Sequence, residues 1–111
     1  MRRLHLRGCL LDSVNLRGAA LREIRFEACT LRDVDFGGAE LTDVQLPGCT
    51  IERLDLTQAT LTQVDLRNAR LDIARGFDRL RGSVIDHAQL IELAPALAGH
   101  LGMTVRDRTG P

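Results

Sequence analysis

Residues 41–66 decide the fold, and they read LTDVQLPGCTIERLDLTQATLTQVDL. Within this stretch every fifth residue is a large apolar residue, beginning at Leu41 and ending at Leu66. The same register continues outward in both directions without a break. These residues, which we call the repeat centres, are Leu6, Leu11, Leu16, Leu21, Phe26, Leu31, Phe36, Leu41, Leu46, Ile51, Leu56, Leu61, Leu66 and Leu71.

A second apolar set lies two residues before each centre and alternates large with small side chains, as in Val44, Cys49, Leu54 and Ala59. An α-helix turns by about 500° in five residues, so a helical chain would spread the centres around its whole surface. In a flat strand an odd step places successive centres on opposite faces. The pattern therefore predicts short extended edges separated by regular bends, which form a coil with its apolar side chains inside.

The small residues indicate how many edges make one coil. Cys9, Cys29 and Cys49 are spaced by twenty residues, and Ala69 continues their column. Twenty residues are four edges of five, so we predict a four-sided coil in which like residues stack. The centres then make about three and a half coils, roughly 17 Å tall at a strand spacing of about 4.8 Å.

Polar residues directly before several centres complete a recognisable motif. Asn15, Asp35, Asp55 and Asp65 occupy this position, although Arg25 does not follow the rule. The resulting pattern, Ala-Asp/Asn-Leu-x-x, resembles the pentapeptide-repeat family from about residue 4 to residue 71. The resemblance implies an all-β solenoid, a right-handed quadrilateral β-helix.

The register ends after Leu71, because Gly76 occupies the next centre. We therefore predict a repeat domain over 1–74, a capping or dimerisation segment over 75–105 and a polar tail over 106–111. Asp86, with Gln89 three residues later, predicts a helix N-terminus with a capping box. The predicted helix runs from His87 to Leu101.

The apolar residues at helical spacing in this segment are candidates for a cap and a dimer contact: Leu90, Leu93, Leu97 and Leu101. The segment from Leu80 to Leu97 resembles the C-terminal end of actinobacterial pentapeptide-repeat proteins. That resemblance implies a short α-helical C-terminal cap that can join two chains. By contrast, no capping element is predicted before Leu4.

Composition narrows the chemistry. All 15 basic residues are arginine, and they balance 15 acidic residues to a formal net charge of +0. This balance argues against direct nucleic-acid binding, and no apolar run reaches the 18 residues that would suggest a membrane span. We expect a cytoplasmic protein with reduced cysteines. His5, His87 and His100 lack metal-ligand spacing. We therefore predict no enzyme activity and no catalytic, cofactor-binding or metal-binding residue.

Charge is uneven along the chain, since residues 33–65 carry one arginine and seven acidic residues. The candidate partner-binding residues are Asp33, Asp35, Glu40, Asp43 and Asp55. Resemblance to the quinolone-resistance pentapeptide proteins implies an anionic patch that imitates a phosphate backbone. We favour the interpretation that the short polar side chains before the centres bind backbone N–H groups of turns, because the positively charged segments on either side interrupt any continuous anionic face.

The sequence thus favours a rigid, non-enzymatic scaffold that binds another protein, whose identity the residues do not specify. A homodimer through the C-terminal segment fits this interpretation. The alternative function is a DNA mimic that binds DNA gyrase or topoisomerase IV.

Overall fold

A computed structural model describes residues 2–108 of the chain. It contains ten β-strands, one short 3₁₀ helix at Phe77–Leu80 and one α-helix, α1, at His87–His100. The strands are β1 (Arg2–Arg7), β2 (Leu10–Asp12), β3 (Ala20–Glu27), β4 (Thr30–Arg32), β5 (Glu40–Gln45), β6 (Thr50–Glu52), β7 (Leu54–Asp55), β8 (Thr60–Asp65), β9 (Ile73–Arg75) and β10 (Ser83–Val84).

All strand pairs are parallel, and the strands stack in the orders β1-β3-β5-β8-β10, β2-β4-β6 and β7-β9. The register between successive coils is twenty residues, as in Leu31 beside Ile51 and Thr42 beside Thr62. Single bridges join Asn15, Asp35 and Asp55 on a further face. The chain is therefore a β-solenoid of about 4 turns, closed at one end by a helix.

The bends between edges have one backbone feature in common. Every fifth residue from Arg3 to Asn68 has a positive φ, between 51° and 71°. Glycine occupies four of these corners, Gly8, Gly18, Gly38 and Gly48, and L-residues occupy the others. A left-handed L-residue costs about 1–2 kcal/mol, so stacking must hold these corners in place. One corner every five residues makes four corners in each coil of twenty residues, so each coil has four sides.

The repeat centres fill the interior as predicted. Leu31 is 0% exposed and Leu61 is 7% exposed, so the prediction that both point inward is confirmed. A space of about 20 Å³ lies between these apolar side chains, which is room for about one water molecule. The side chains of the repeat centres are thus tightly packed.

The cysteine column lies inside as well, and all three thiols are free. Cys29 and Cys49 are buried, whereas Cys9 in the first coil is half-buried. The Cys49 thiol donates to the carbonyl of Phe26, with Sγ and O 3.1 Å apart. Burial raises the pKa of Cys49, and this keeps the thiol protonated and unreactive.

The strand ladder continues beyond the sequence repeat. β9 pairs with β7, and β10 pairs with β8, so residues 73–84 form most of a further coil without the five-residue register. The predicted boundary at residue 74 falls inside β9. Gly82 is required here, because its φ is 89° and a Cβ atom would collide with the carbonyl oxygen of Leu61.

Helix α1 matches its predicted position within one residue and contains Pro95. Beyond its C-cap, Leu101, the chain turns at Gly102, whose φ is 73°, and the Met103 N–H donates to the Ala98 carbonyl at 2.8 Å. The rings of His100 and Phe77 lie 6.1 Å apart. At the other end of α1, its N-cap residue Asp86 accepts the Asn68 N–H, so both ends of the helix contact earlier residues of the chain. Among the described residues, no helix is long and apolar enough to cross a membrane.

Candidate interaction surfaces

The polar residues before the repeat centres hold the turns. The side chains of Asn15, Asp35, Asp55 and Asp65 each accept the backbone N–H two residues later, at 2.8–3.0 Å. The Thr57 hydroxyl and backbone N–H lower the pKa of Asp55. These hydrogen bonds support the interpretation that the four side chains stabilise turns.

A second set of contacts joins charged residues one coil apart. Their side chains lie 2.6–2.7 Å from an oppositely charged partner at a spacing of twenty residues. The pairs are Arg3–Glu23, Arg7–Glu27, Arg32–Glu52 and Arg53–Asp33. Arg32 also lies 3.7 Å from Asp12 in the coil below. Arg53 lowers the pKa of Asp33 through its hydrogen bonds, and Arg7 does the same for Glu27.

These contacts decide the electrostatics of the five acidic candidates. Asp33 is paired with Arg53, Asp35 with Arg17 at 3.2 Å, and Asp55 is held in its turn. The described residues show no ion pair for the other two, Glu40 and Asp43, and both are exposed. Only Asp35 and Asp55 stand directly above one another, so the five do not form one continuous column. The arginine partners were missed in the sequence, although their spacing of eighteen or twenty residues was readable there.

The C-terminal end of the solenoid is closed by two polar side chains. Asp86 accepts the Gln89 N–H at 2.9 Å and the Asn68 N–H at 2.9 Å. Gln89 accepts the Asp86 N–H at 2.9 Å and donates to the carbonyls of Leu66 and Ala69, the latter at 2.7 Å. The predicted capping box is thus present, and it also satisfies backbone groups of the last regular coil.

Gln89 has a place in the sequence pattern that explains this second role. It lies twenty residues after Ala69 and so continues the column of Cys9, Cys29 and Cys49. The Cys49 thiol reaches the carbonyl 23 residues before it, and the Gln89 amide does the same. Gln89 therefore takes the position of a further coil at the corner where the chain leaves the solenoid.

Helix α1 turns only part of its apolar surface toward the solenoid. Leu93 and Gln89 are its buried residues, so Leu93 is the one member of the predicted apolar set that packs as a cap. Leu90, Leu97 and Leu101 are 45%, 36% and 70% exposed. We call these three residues the helix stripe. They are spaced by seven and four residues and therefore lie along one face of the helix.

Side chains that could bind a metal ion or carry out catalysis are sparse in the rest of the described chain. No cluster of three or more histidine, cysteine or carboxylate groups there could hold a metal ion. His5 lies 3.6 Å from Glu27, while His100 is engaged with Phe77. Within residues 2–108, no buried side-chain nitrogen or oxygen lacks a hydrogen-bond partner.

The fold and these surfaces define a parallel β-solenoid protein whose outer faces carry paired charges. The family model for pentapeptide repeats matches residues 9–46 and 39–72, with eight copies. These matches cover more than half of the sequence, so the chain belongs to the pentapeptide-repeat family. No curated protein matches it.

Proposed function

We propose that this protein is a non-enzymatic scaffold that pairs with a second copy of itself through the helix stripe and presents its solenoid faces to a protein partner. The observation that carries the proposal is the exposure of Leu90, Leu97 and Leu101 on a helix whose neighbouring face, with Gln89 and Leu93, is buried. Exposed apolar patches of this kind mark association surfaces. Free cysteines are consistent with a reducing, cytoplasmic compartment.

The geometry favours a second copy as the occupant of the stripe. The stripe covers about 16 Å of one helix at a rise of about 1.5 Å per residue. Two such helices related by a two-fold axis would cover each other's leucines, because one patch then serves both chains. Glu92 is the only acidic residue in α1 and basic side chains are absent from it except for its two histidines, so no strong charge opposes this pairing.

Size-exclusion chromatography with light scattering tests the dimer. We expect the wild type to run as a dimer at micromolar concentration and the Leu90→Gln/Leu97→Gln/Leu101→Gln variant to run as a monomer. Val84→Gln is the matched control, since it removes another half-exposed apolar side chain outside the helix. A wild type that stays monomeric at 100 micromolar would overturn the dimer.

The DNA-mimic alternative makes a different demand. A mimic needs unpaired carboxylates in a continuous row, whereas arginines neutralise Asp33 and Asp35. We expect DNA supercoiling by gyrase to be unaffected by this protein at micromolar concentration. Strong inhibition that is lost in the Glu40→Lys/Asp43→Lys variant would replace the scaffold proposal with the mimic, because those two residues take part in no described ion pair or turn hydrogen bond.

A further inference from the structure

The other end of the solenoid is formed by the first coil, residues 2–19, and its lower side is uncovered in the described structure. The side chains of Leu6, Leu11 and Leu16 are half-buried. Their counterparts one coil higher, Phe26, Leu31 and Phe36, are 3%, 0% and 3% exposed. The first coil therefore presents an apolar surface with the cross-section of the core.

The same end presents a strand edge. The Gly8 N–H donates to the Glu27 carbonyl at 2.9 Å, so Gly8 faces the second coil. Peptide groups of a strand alternate in direction along the chain, and those of His5 and Arg7 consequently face the open side. β1, with six residues, is the longest strand at this edge. An edge of this kind is a template for an additional strand.

Charge indicates which strand would fit. The first coil carries four arginines and one acidic residue, Asp12, a net charge of +3. Arg3 and Arg7 reach up to Glu23 and Glu27. Arg32, one coil higher, shows what such an arginine binds when a layer lies beneath it, because it contacts Glu52 above and Asp12 below. The open side offers Arg3 and Arg7 no such lower carboxylate among the described residues.

We propose that the open end binds an extended acidic segment of a partner protein, which adds to β1 as a further strand. This inference rests on the proposed scaffold function and names the chemistry of its partner. Apolar side chains of the segment would cover Leu4 and Leu6, and carboxylates on the alternate residues would meet Arg3 and Arg7. A second copy at this end would instead bring the arginines of two first coils together, with only Asp12 of each first coil as an opposing carboxylate.

Peptide binding tests the proposal directly. The probe is a fluorescein-labelled octapeptide of alternating aspartate and valine, and its comparison is the same peptide with lysine for aspartate. Fluorescence anisotropy should show binding of the acidic peptide at least tenfold tighter than that of the lysine peptide. Binding should weaken with added salt, since exposed charges are screened within about 10 Å at 0.1 M.

Two variants separate charge from strand pairing. Arg3→Gln/Arg7→Gln should weaken binding of the acidic peptide at least tenfold, while Arg106→Gln/Arg108→Gln, which removes the same charge from the tail, should not. His5→Pro should also abolish binding, because it removes an N–H that faces the open side and leaves the backbone hydrogen bonds to the second coil intact. Circular dichroism melting verifies that each variant is folded.

The outcomes are decisive and independent of the dimer test. If the acidic peptide does not bind, or binds the Arg3→Gln/Arg7→Gln and His5→Pro variants as well as the wild type, the proposal is wrong. A dimer that survives the helix-stripe substitutions and dissociates in His5→Pro would mean that a second copy occupies the open end. Failure of this proposal leaves the light-scattering result for the helix stripe unchanged.

Discussion

Each end of the solenoid consists of a coil with an apolar interior and a strand edge, but only the C-terminal end is covered in the described structure. At the C-terminal end, Gln89 donates to the carbonyls of the last regular coil, and Leu93 of α1 is buried. At the N-terminal end, Leu6 and Leu11 remain half-buried and β1 is an open edge. Since stacking stabilises each coil through its neighbours, the first coil should be the least stable part of the solenoid and the second coil among the most stable.

The strongest test compares one position in two coils. Leu31→Ala should lower the free energy of unfolding by about 3 kcal/mol, because it opens a cavity in a filled core. Leu11→Ala occupies the same column at the open end and should cost about 1 kcal/mol, since solvent already reaches the site. Urea denaturation followed by circular dichroism measures both values. Equal losses would show that the first coil is as well covered as the second.

The closed end depends on the amide of Gln89, and Gln89→Glu isolates that dependence. Glutamate preserves the acceptor of a capping box but cannot donate to Leu66 and Ala69. We expect a loss of about 2 kcal/mol in the free energy of unfolding, together with faster hydrogen exchange in residues 64–70. Gln63→Glu, the same substitution at an exposed corner, should have little effect. A Gln89→Glu variant as stable as the wild type would remove Gln89 from the closure.

Acid should weaken the closed end through Asp86. Hydrogen bonds from the Gln89 and Asn68 backbone N–H groups lower the pKa of Asp86. A carboxyl whose pKa is lower in the folded state stabilises the fold above the unfolded value, about 3.9, and loses that contribution as the pH falls through the lower folded value. We expect the melting temperature to fall below about pH 4, and to fall less steeply in Asp86→Asn. Asp107→Asn, in the exposed tail, should follow the wild type.

The smallest difference should come from the corners. Gly8 and Gly38 have φ values of 64° and 66°, and neither has an atom close enough to hinder a Cβ. Gly38→Ala should cost about 1 kcal/mol from left-handed strain alone. Gly8→Ala should cost less, because local opening of the first coil relieves the strain. Melting temperatures rank the two, and a larger loss at Gly8 would contradict a weak first coil.

The sequence was sufficient for the solenoid because each edge repeats the same local requirement. Leu31 and Leu61 could be placed inside without any knowledge of their neighbours, since a register of five and a column spacing of twenty determine both. Residues 73–84 could not be placed in this way. These residues pair with β7 and β8 through backbone hydrogen bonds, and such bonds do not require a repeating pattern of side chains in the sequence.

The candidate surfaces were less accessible for a related reason. Leu90, Leu93, Leu97 and Leu101 share helical spacing, but only Leu93 is buried, on the side of α1 where Gln89 is hydrogen-bonded to the last regular coil. The acidic candidates stand out in the sequence because residues 33–65 carry an excess of negative charge, whereas their electrostatics depend on residues one coil away. Arg53 lies twenty residues from Asp33. Adding up the charges of consecutive residues does not reveal such a pair.

The twenty-residue register also allows the length of the solenoid to change in whole coils. Residues one coil apart occupy the same place in the cross-section, so removal of residues 30–49 would join Cys29 to Thr50, which already follows the equivalent Cys49 in the column. Such a deletion would bring the two ends closer by about 4.8 Å and leave the residues that form each end unchanged. Duplication of the same block would separate them by the same step. Evolution can therefore change the distance between two attachment points in whole coils without redesigning either one.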